Sequence, residues 1–325
     1  MPPAMRESFT WQDGERTIRF GRGTIASAGE LLGEGYTLLT TPRAEAAAPD
    51  VVAAAATVHH VRPGRVDEIA EELRATVSGD LLVALGGGRV IDVTKALAAV
   101  AGPPVRAAAI PTTLSAAEMA RGHRHATGAP PGTPNVRPAI VINDPDLSAS
   151  QPLEELAASA ANSLAHAVEG AVTVNASPVP VLAGHEAVRL TEAAYADGGE
   201  EPDRDALALA ALLSGYTIDQ SGLALHHVLC QTIVRLAGGG HGPTNAAMLP
   251  HTIGALRRRN PSTVDATELA RDLARRAGAE RLRDIGVDES RLEDCVEAAA
   301  KRPQLKLTPP PADADEIRAL YRAAW

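Results

Sequence analysis

The sequence predicts an α/β domain over residues 1–150 followed by an all-α domain over residues 151–325. Three observations predict it. Short apolar runs alternate with amphipathic helical stretches up to about residue 150, as in a parallel sheet covered by helices. After DPDLSASQP (144–152) the strand signals stop, and the periodic stretches read as helices. A chain of 325 residues also suits two cores better than one.

In chain order, YTLLTT (36–41), LLVALGGG (81–88), VRAAAIPTT (105–113) and PAIVIND (138–144) read as buried strands that end in turn residues. Between them, TIASAGELLGEG (24–35), RVDEIAEELRATVSG (65–79) and RVIDVTKALAAVAG (89–102) read as helices that stop at glycine. RGHRHATGAPPGTPNVRP (121–138) is rich in Gly and Pro and reads as an irregular loop. From Leu153 onward come four long helical stretches, at 153–173, 179–196, 203–236 and 265–279. A proline cluster, TPPPA (308–312), precedes a short final helix, and no internal repeat stands out. Ligands of such a sheet bind at the carboxyl ends of its strands.

Hydrophobic residues make up 45% of the chain but aromatics only 2%, so Ala, Val, Leu and Ile must build the core. A net charge of −9 argues against nucleic acid or an anionic membrane as partner. Cys230 and Cys295 are too few for a disulfide scaffold and suit a reducing compartment. No apolar run is long enough to span a bilayer, and MPPAMRESFTW lacks the apolar stretch of a signal peptide. The expectation is a cytoplasmic enzyme acting on a small molecule.

The strongest local signal in the first half is LLVALGGGRVIDVTKALAA, a buried strand running through three glycines into a helix. Gly86, Gly87 and Gly88 let backbone N–H groups approach a phosphate, and the helix start adds partial positive charge. A glycine turn of this kind is also common without a ligand. Thr112, Thr113 and Ser115 offer three hydroxyls after the next strand, either to a ligand or as an N-cap for a helix after them. In the second half, NSLAHAVEG places Asn162 and His166 one helical turn apart, with Glu169 beside them. LALHHVLCQ supplies His226 and His227, with Gln231 one turn after His227, and GGGHGPTNAAMLPH supplies His241. A lone histidine is usually structural, but this set comes from separate helices, as metal sites in bundles require. His59, His60, His123, His125 and His185 lack such company, and the arginine clusters at 257–259 and 271–276 read as solvated faces.

Together these stretches resemble the iron-containing alcohol dehydrogenase superfamily, in its maleylacetate reductase-like branch. GGGRVIDVTKALA resembles the family's GGGS-x-x-D-x-x-K signature, and PTTLSAAEM resembles its cofactor-contacting segment. ANSLAHAVEG resembles the branch's form of the metal-site helix, in which Asn replaces Asp. HHVLCQ and HGPTNAAMLPH resemble the helix and the loop bearing the remaining histidines. The resemblance implies a dehydroquinate synthase-like fold, with a dinucleotide-binding α/β domain and an all-helical domain that carries the catalytic histidines. It implies NAD or NADP as cofactor, a homodimer, and hydride transfer in the cleft between the domains. Carried over residue by residue, Gly87, Gly88 and Arg89 line the pyrophosphate, Thr112, Thr113 and Ser115 lie near the cofactor, and Thr41 and Pro42 lie by the adenosine ribose. Asn162, His166, His227 and His241 take the metal positions, and His227, His241 and Gln231 stand near the reacting carbon.

Three positions depart from the pattern. Gln231 replaces a second histidine, His125 replaces a lysine, and Arg89 replaces the GGGS serine. Neutral imidazoles suit iron or zinc, but an Asn amide does not neutralise the ion as a carboxylate would. The expectation is therefore substoichiometric metal or none, with His227 and His241 as candidates to polarise the substrate carbonyl. The leading function is an NAD(P)-dependent oxidoreductase acting on an oxo or hydroxy acid. The alternatives are an alcohol or β-hydroxy-acid dehydrogenase, which in some cases loses CO2, and a catalytically retired nucleotide-binding homologue.

Overall fold

The computed structural model describes residues 8–198 and 201–325. The reading of MPPAMRESFTW as lacking a signal peptide falls partly on residues 1–7, outside the described residues. The chain divides into two compact units, Met1–Gln151 and Pro152–Trp325.

The first unit is a seven-stranded sheet in the order β1-β2-β7-β6-β5-β3-β4. Its strands are β1 (Ser8–Asp13), β2 (Arg16–Gly21), β3 (Thr37–Thr40), β4 (Thr57–His60), β5 (Leu81–Gly86), β6 (Arg106–Pro111) and β7 (Ile140–Asn143). All neighbours pair in parallel except the β1–β2 hairpin. Its helices are α1 (Ala28–Leu32), α2 (Pro42–Ala47), α3 (Pro49–Ala53), α4 (Val66–Leu73) and α5 (Gly88–Ala101). The four strands read from apolar runs are β3, β5, β6 and β7.

Strands β1, β2 and β4 are additions to the sequence reading, and all three belong to the sheet's margins. SFTWQD alternates exposed and half-buried residues, and TVHH is almost wholly exposed, so neither makes an apolar run. The Asp13-Gly14 pair was the available hairpin signal, and Gly14 takes φ +62 there. Along the central strands the side chains alternate between two cores. Leu82 and Ala84 of β5 and Ala107 and Ala109 of β6 join the cluster around α4 and α5. Val83 and Leu85, with Ala108 and Ile110, join the cluster around α1, α2 and α3. Both faces are covered, which is why these strands read as continuous apolar text.

The second unit is helical throughout its described residues: α6 (Leu153–Gly170), α7 (Pro178–Ala194), α8 (Arg204–Ser221), α9 (Leu225–Leu236), α10 (His241–Arg259), α11 (Thr267–Arg276), α12 (Leu292–Ala300) and α13 (Ala314–Ala324). Helix α6 is buried along nearly its whole length. Small residues let its neighbours approach it. A Cβ on Gly170 would stand 2.8 Å from Thr217, and one on Gly184 would stand 2.8 Å from the Ala167 carbonyl. An alanine-rich core with few aromatics thus reaches its packing density through short distances between helix axes.

The sequence reading differs from this unit at three places. The stretch 203–236 is two helices, broken where Gly222 takes φ +86 after α8. HGPTNAAMLPH is not a loop but the first half of α10. Pro243 lies in its first turn, where the missing N–H costs nothing, and Pro250 sits inside the helix. Arg259 is not a solvated side chain either. Its side chain is 7% exposed, and the guanidinium forks onto Glu316 at 2.8 and 2.5 Å. Among the described residues no helix is long and apolar enough to cross a membrane.

Candidate active site

The first unit gathers its candidate residues at the carboxyl ends of three adjacent strands. Thr41 and Pro42 follow β3, Gly87, Gly88 and Arg89 follow β5, and Thr112, Thr113 and Ser115 follow β6. A Cβ on Gly87 would stand 3.0 Å from the Thr113 methyl, and one on Gly88 would stand 2.8 Å from the Ser115 Cβ. The glycines therefore allow two segments to meet as well as leaving backbone N–H groups accessible. Helix α5 begins at Gly88, so its first-turn N–H groups have no acceptor within the helix. Arg89 extends from this turn with its side chain exposed. Thr41 caps α2, accepting from the Ala44 N–H at 3.3 Å, whereas no helix follows Ser115, which accepts from the Ala117 N–H at 3.4 Å within a turn.

The segment after β6 is held by side chains that the sequence reading left without a role. Lys95, fully buried, donates to the carbonyls of Ala117 (3.0 Å), Ala120 (2.9 Å) and Gly122 (3.1 Å). Arg16 donates to the carbonyls of Glu118 (2.9 Å) and Pro138 (2.8 Å). Ala116 takes φ +61 in this tightly held stretch, a conformation costly for a residue with a Cβ. The D-x-x-K part of the glycine signature was the signal for Lys95, and nothing local marked Arg16.

Glu118 is buried, and neither of its carboxyl oxygens has a hydrogen-bond partner among the described residues. Burial pushes its pKa up to about 7, against the pull of Lys95 and Arg16. The unfolded chain loses this proton near pH 4.5, but the folded chain keeps it to about pH 7. Stability is thus highest below pH 4.5 with respect to this group, falls as pH rises, and levels off above the folded value. The total is about 3 kcal/mol. Glu118→Gln is expected to match the wild type in thermal midpoint near pH 5 and to exceed it at pH 8. Equal midpoints at pH 8 would mean that Glu118 ionises without cost.

In the second unit, three helices bring the histidines together. Asn162, His166 and Glu169 share one face of α6 and are 4%, 8% and 0% exposed. The rings of His166 and His227 lie 4.7 Å apart at 17°, and His226 meets His227 at 4.9 Å and 81°. Burial, followed by the neighbouring histidines, holds His166 well below the ordinary imidazole value. Burial takes His226 and His227 down to about 3 each, so all three are neutral at physiological pH. His241 begins α10 with its side chain exposed, close enough to disfavour protonation of the other three. Gln231 is half-buried, one turn beyond His227.

A supporting network fixes these rings. His226 Nε2 donates to Asn245 Oδ1 at 2.9 Å, and its Nδ1 faces the Thr252 hydroxyl at 2.7 Å. Asn245 in turn donates to the His241 carbonyl at 2.7 Å. The His-His doublet was a visible signal for His226, whereas Asn245 and Thr252 carried none.

Asn162 Oδ1, His166 Nδ1 and His227 Nε2 are buried without hydrogen-bond partners among the described residues. These atoms fit a divalent cation by donor type, as neutral nitrogen and oxygen ligands, with His241 the remaining candidate. They supply no negative charge, and among the described residues no three His, Cys, Asp or Glu side chains are arranged to hold a metal. Asn162→Asp is expected to raise zinc affinity about tenfold or more, equivalent to about 1.4 kcal/mol, by adding an anionic ligand. Competition against a chromogenic chelator measures this. Unchanged affinity would remove position 162 from the ligand set.

Residues 15–145 match the family model for iron-containing alcohol dehydrogenase, and residues 156–274 match the model for the C-terminal part of the Fe-containing alcohol dehydrogenase family. The maleylacetate reductase of Pseudomonas aeruginosa is 30% identical over 282 residues, covering 81% of this chain and 79% of that protein. The maleylacetate reductase of Sphingobium indicum is 29% identical over 275 residues, 78% of this chain and 76% of that protein. The crystal structure of maleylacetate reductase from Agrobacterium tumefaciens superposes with a TM-score of 0.78 at 26% identity, covering 99% of both chains. The chain belongs to the iron-containing alcohol dehydrogenase family, in its maleylacetate reductase-like branch, and is an NAD(P)-dependent oxidoreductase.

Proposed function

We propose that this member of the iron-containing alcohol dehydrogenase family interconverts an oxo acid and the corresponding hydroxy acid. The observation that carries this reading is the buried set of neutral imidazoles beside an amide, a site that exchanges hydrogen bonds with a substrate oxygen. Gly87 and Gly88, with the first turn of α5, take the cofactor diphosphate, and Thr113 and Ser115 wall that turn. Thr41, Pro42, Arg89 and Thr112 complete the cofactor-binding edge. Bound NAD(P)H supplies the hydride. Where a metal is present, Asn162, His166, His227 and His241 hold it, and it adds polarisation of the substrate oxygen. His241, the exposed member of the cluster, gives the proton that the reduced oxygen needs and recovers it from solvent. Gln231 lies beside this path and offers an amide where the branch usually has an imidazole.

Cytoplasmic residence accords with two buried, unbridged cysteines, and a homodimer accords with the outer edge of β1, which no strand covers among the described residues. Fluorescence titration with NADH and NADPH, followed by turnover assays with maleylacetate, simple 2-oxo acids and β-hydroxy acids, tests the reading. Binding of cofactor with turnover of an oxo acid is the expected result. Tight binding with no turnover of any acid would overturn the oxo-acid reading and favour an alcohol substrate.

A further inference from the structure

Helix α9 starts at Leu225 behind Ala224, which has no side chain that could cap it. The cap comes from another helix. Glu169 on α6 is fully buried. Its Oε1 accepts from the His226 N–H at 2.5 Å, and its Oε2 accepts from the Ala224 N–H at 3.0 Å. Oε2 also meets His227 Nδ1 at 2.6 Å.

Backbone N–H groups can only donate, so both carboxyl oxygens are already acceptors. A carboxylate before the open N–H groups of a helix start is also favoured by the helix's partial charge. Burial pushes the Glu169 carboxyl pKa up, but two backbone N–H donors and the helix start favour its charged form, and the third contact is then a hydrogen bond donated by His227 Nδ1–H. We propose that Glu169 is a positioning residue that fixes His227 as its Nδ1–H tautomer and leaves an acceptor lone pair on Nε2. That Nε2 atom is buried and has no partner among the described residues, and Asn162 Oδ1 is in the same condition.

The consequence separates the roles of the two candidate histidines. His227 cannot donate to a carbonyl oxygen from Nε2, so it takes a hydrogen bond from a substrate hydroxyl or enol, or ligates a cation. The donor role falls to His241. This part rests on the oxidoreductase reading above. The tautomer does not, because it follows from the contacts of Glu169 alone. For substrate class, the pairing selects compounds that present a hydroxyl or enol donor at the reacting position.

The test is nitrogen-15 NMR of histidine-labelled protein, with His227 assigned by its disappearance in His227→Gln. The expected wild-type spectrum shows a protonated Nδ1 and a pyridine-type Nε2 at His227. In Glu169→Gln the amide cannot accept from all three donors. Its NH2 group is expected to face Nδ1 and to move the proton to Nε2. With that switch, turnover is expected to fall about tenfold or more while cofactor affinity stays within about twofold, the split of a residue acting through another. A wild-type His227 carrying its proton on Nε2 would overturn the proposal, as would an unchanged tautomer in folded Glu169→Gln. If the variant does not fold, the wild-type spectrum decides alone. An absence of oxo-acid turnover with the Nδ1–H tautomer present would count against the oxo-acid reading and leave the tautomer assignment standing.

Discussion

Replacing His241 by alanine is expected to lower turnover by about 100-fold or more, the usual loss when a positioned proton donor is removed. The reason is the division of the cluster by burial. His166, His226 and His227 are sealed in and held neutral. His226 is committed to Asn245 and Thr252, and His227 to Glu169. Only His241 combines a place in the cluster with an exposed side chain. Asn245 holds His241 through the backbone carbonyl, and that bond survives the loss of the imidazole. Cofactor affinity should therefore stay within about twofold, and added imidazole should restore part of the turnover through the exposed opening. Turnover at wild-type level in His241→Ala would assign proton delivery to another group, with Gln231 the next to be replaced.

On the proposed reading, Gly88→Val is expected to weaken NADH and NADPH binding by about 100-fold or more, because a branched side chain fills the space where the diphosphate is proposed to approach the backbone. The structure adds a second effect. A Cβ at Gly88 would already stand 2.8 Å from Ser115 Cβ and 2.9 Å from Ser115 Oγ, so the substitution also displaces the segment after β6. The double variant Gly88→Ala/Ser115→Gly separates the two, since it removes the internal collision and keeps a methyl group facing the ligand. Loss of binding in the double variant, with Ser115→Gly alone still binding, would support direct approach of the cofactor to Gly88. Restored binding would mean that the glycine is needed only to admit Ser115.

Much of this protein is legible in local text. Period-two and continuous apolar runs mark β3, β5, β6 and β7, because those strands are covered on both faces and leave little room for polar side chains. The strand–glycine–helix turn at residues 81–101 is visible for a local reason too, as is the one-turn spacing of Asn162 and His166. Each depends on backbone geometry within a few residues. The edge strands β1 and β4 were less legible because an edge exposed to water sets no such demand, and β2, buried beside β1, was broken up as text by Arg16 and Arg19. The start of α10 was hidden by Gly242 and Pro243, residues that read as a loop but are tolerated in a first turn.

Local text is enough for the α/β-then-helical architecture, the strand–glycine–helix turn at Gly86–Gly88 and the one-turn pairing of Asn162 with His166. The chemical state of those residues was decided only by the tertiary structure. Glu169 meets the start of α9 across separations of 55, 57 and 58 residues, and Lys95 reaches carbonyls up to 27 residues away. Periodicity tells which face of a helix is buried, but it carries no record of which donor or acceptor arrives from elsewhere in the chain. Protonation and tautomer depend on that arrival and on the loss of water around it. His227 and His241 look alike as letters, and they differ because one is sealed against a carboxylate while the other opens to solvent.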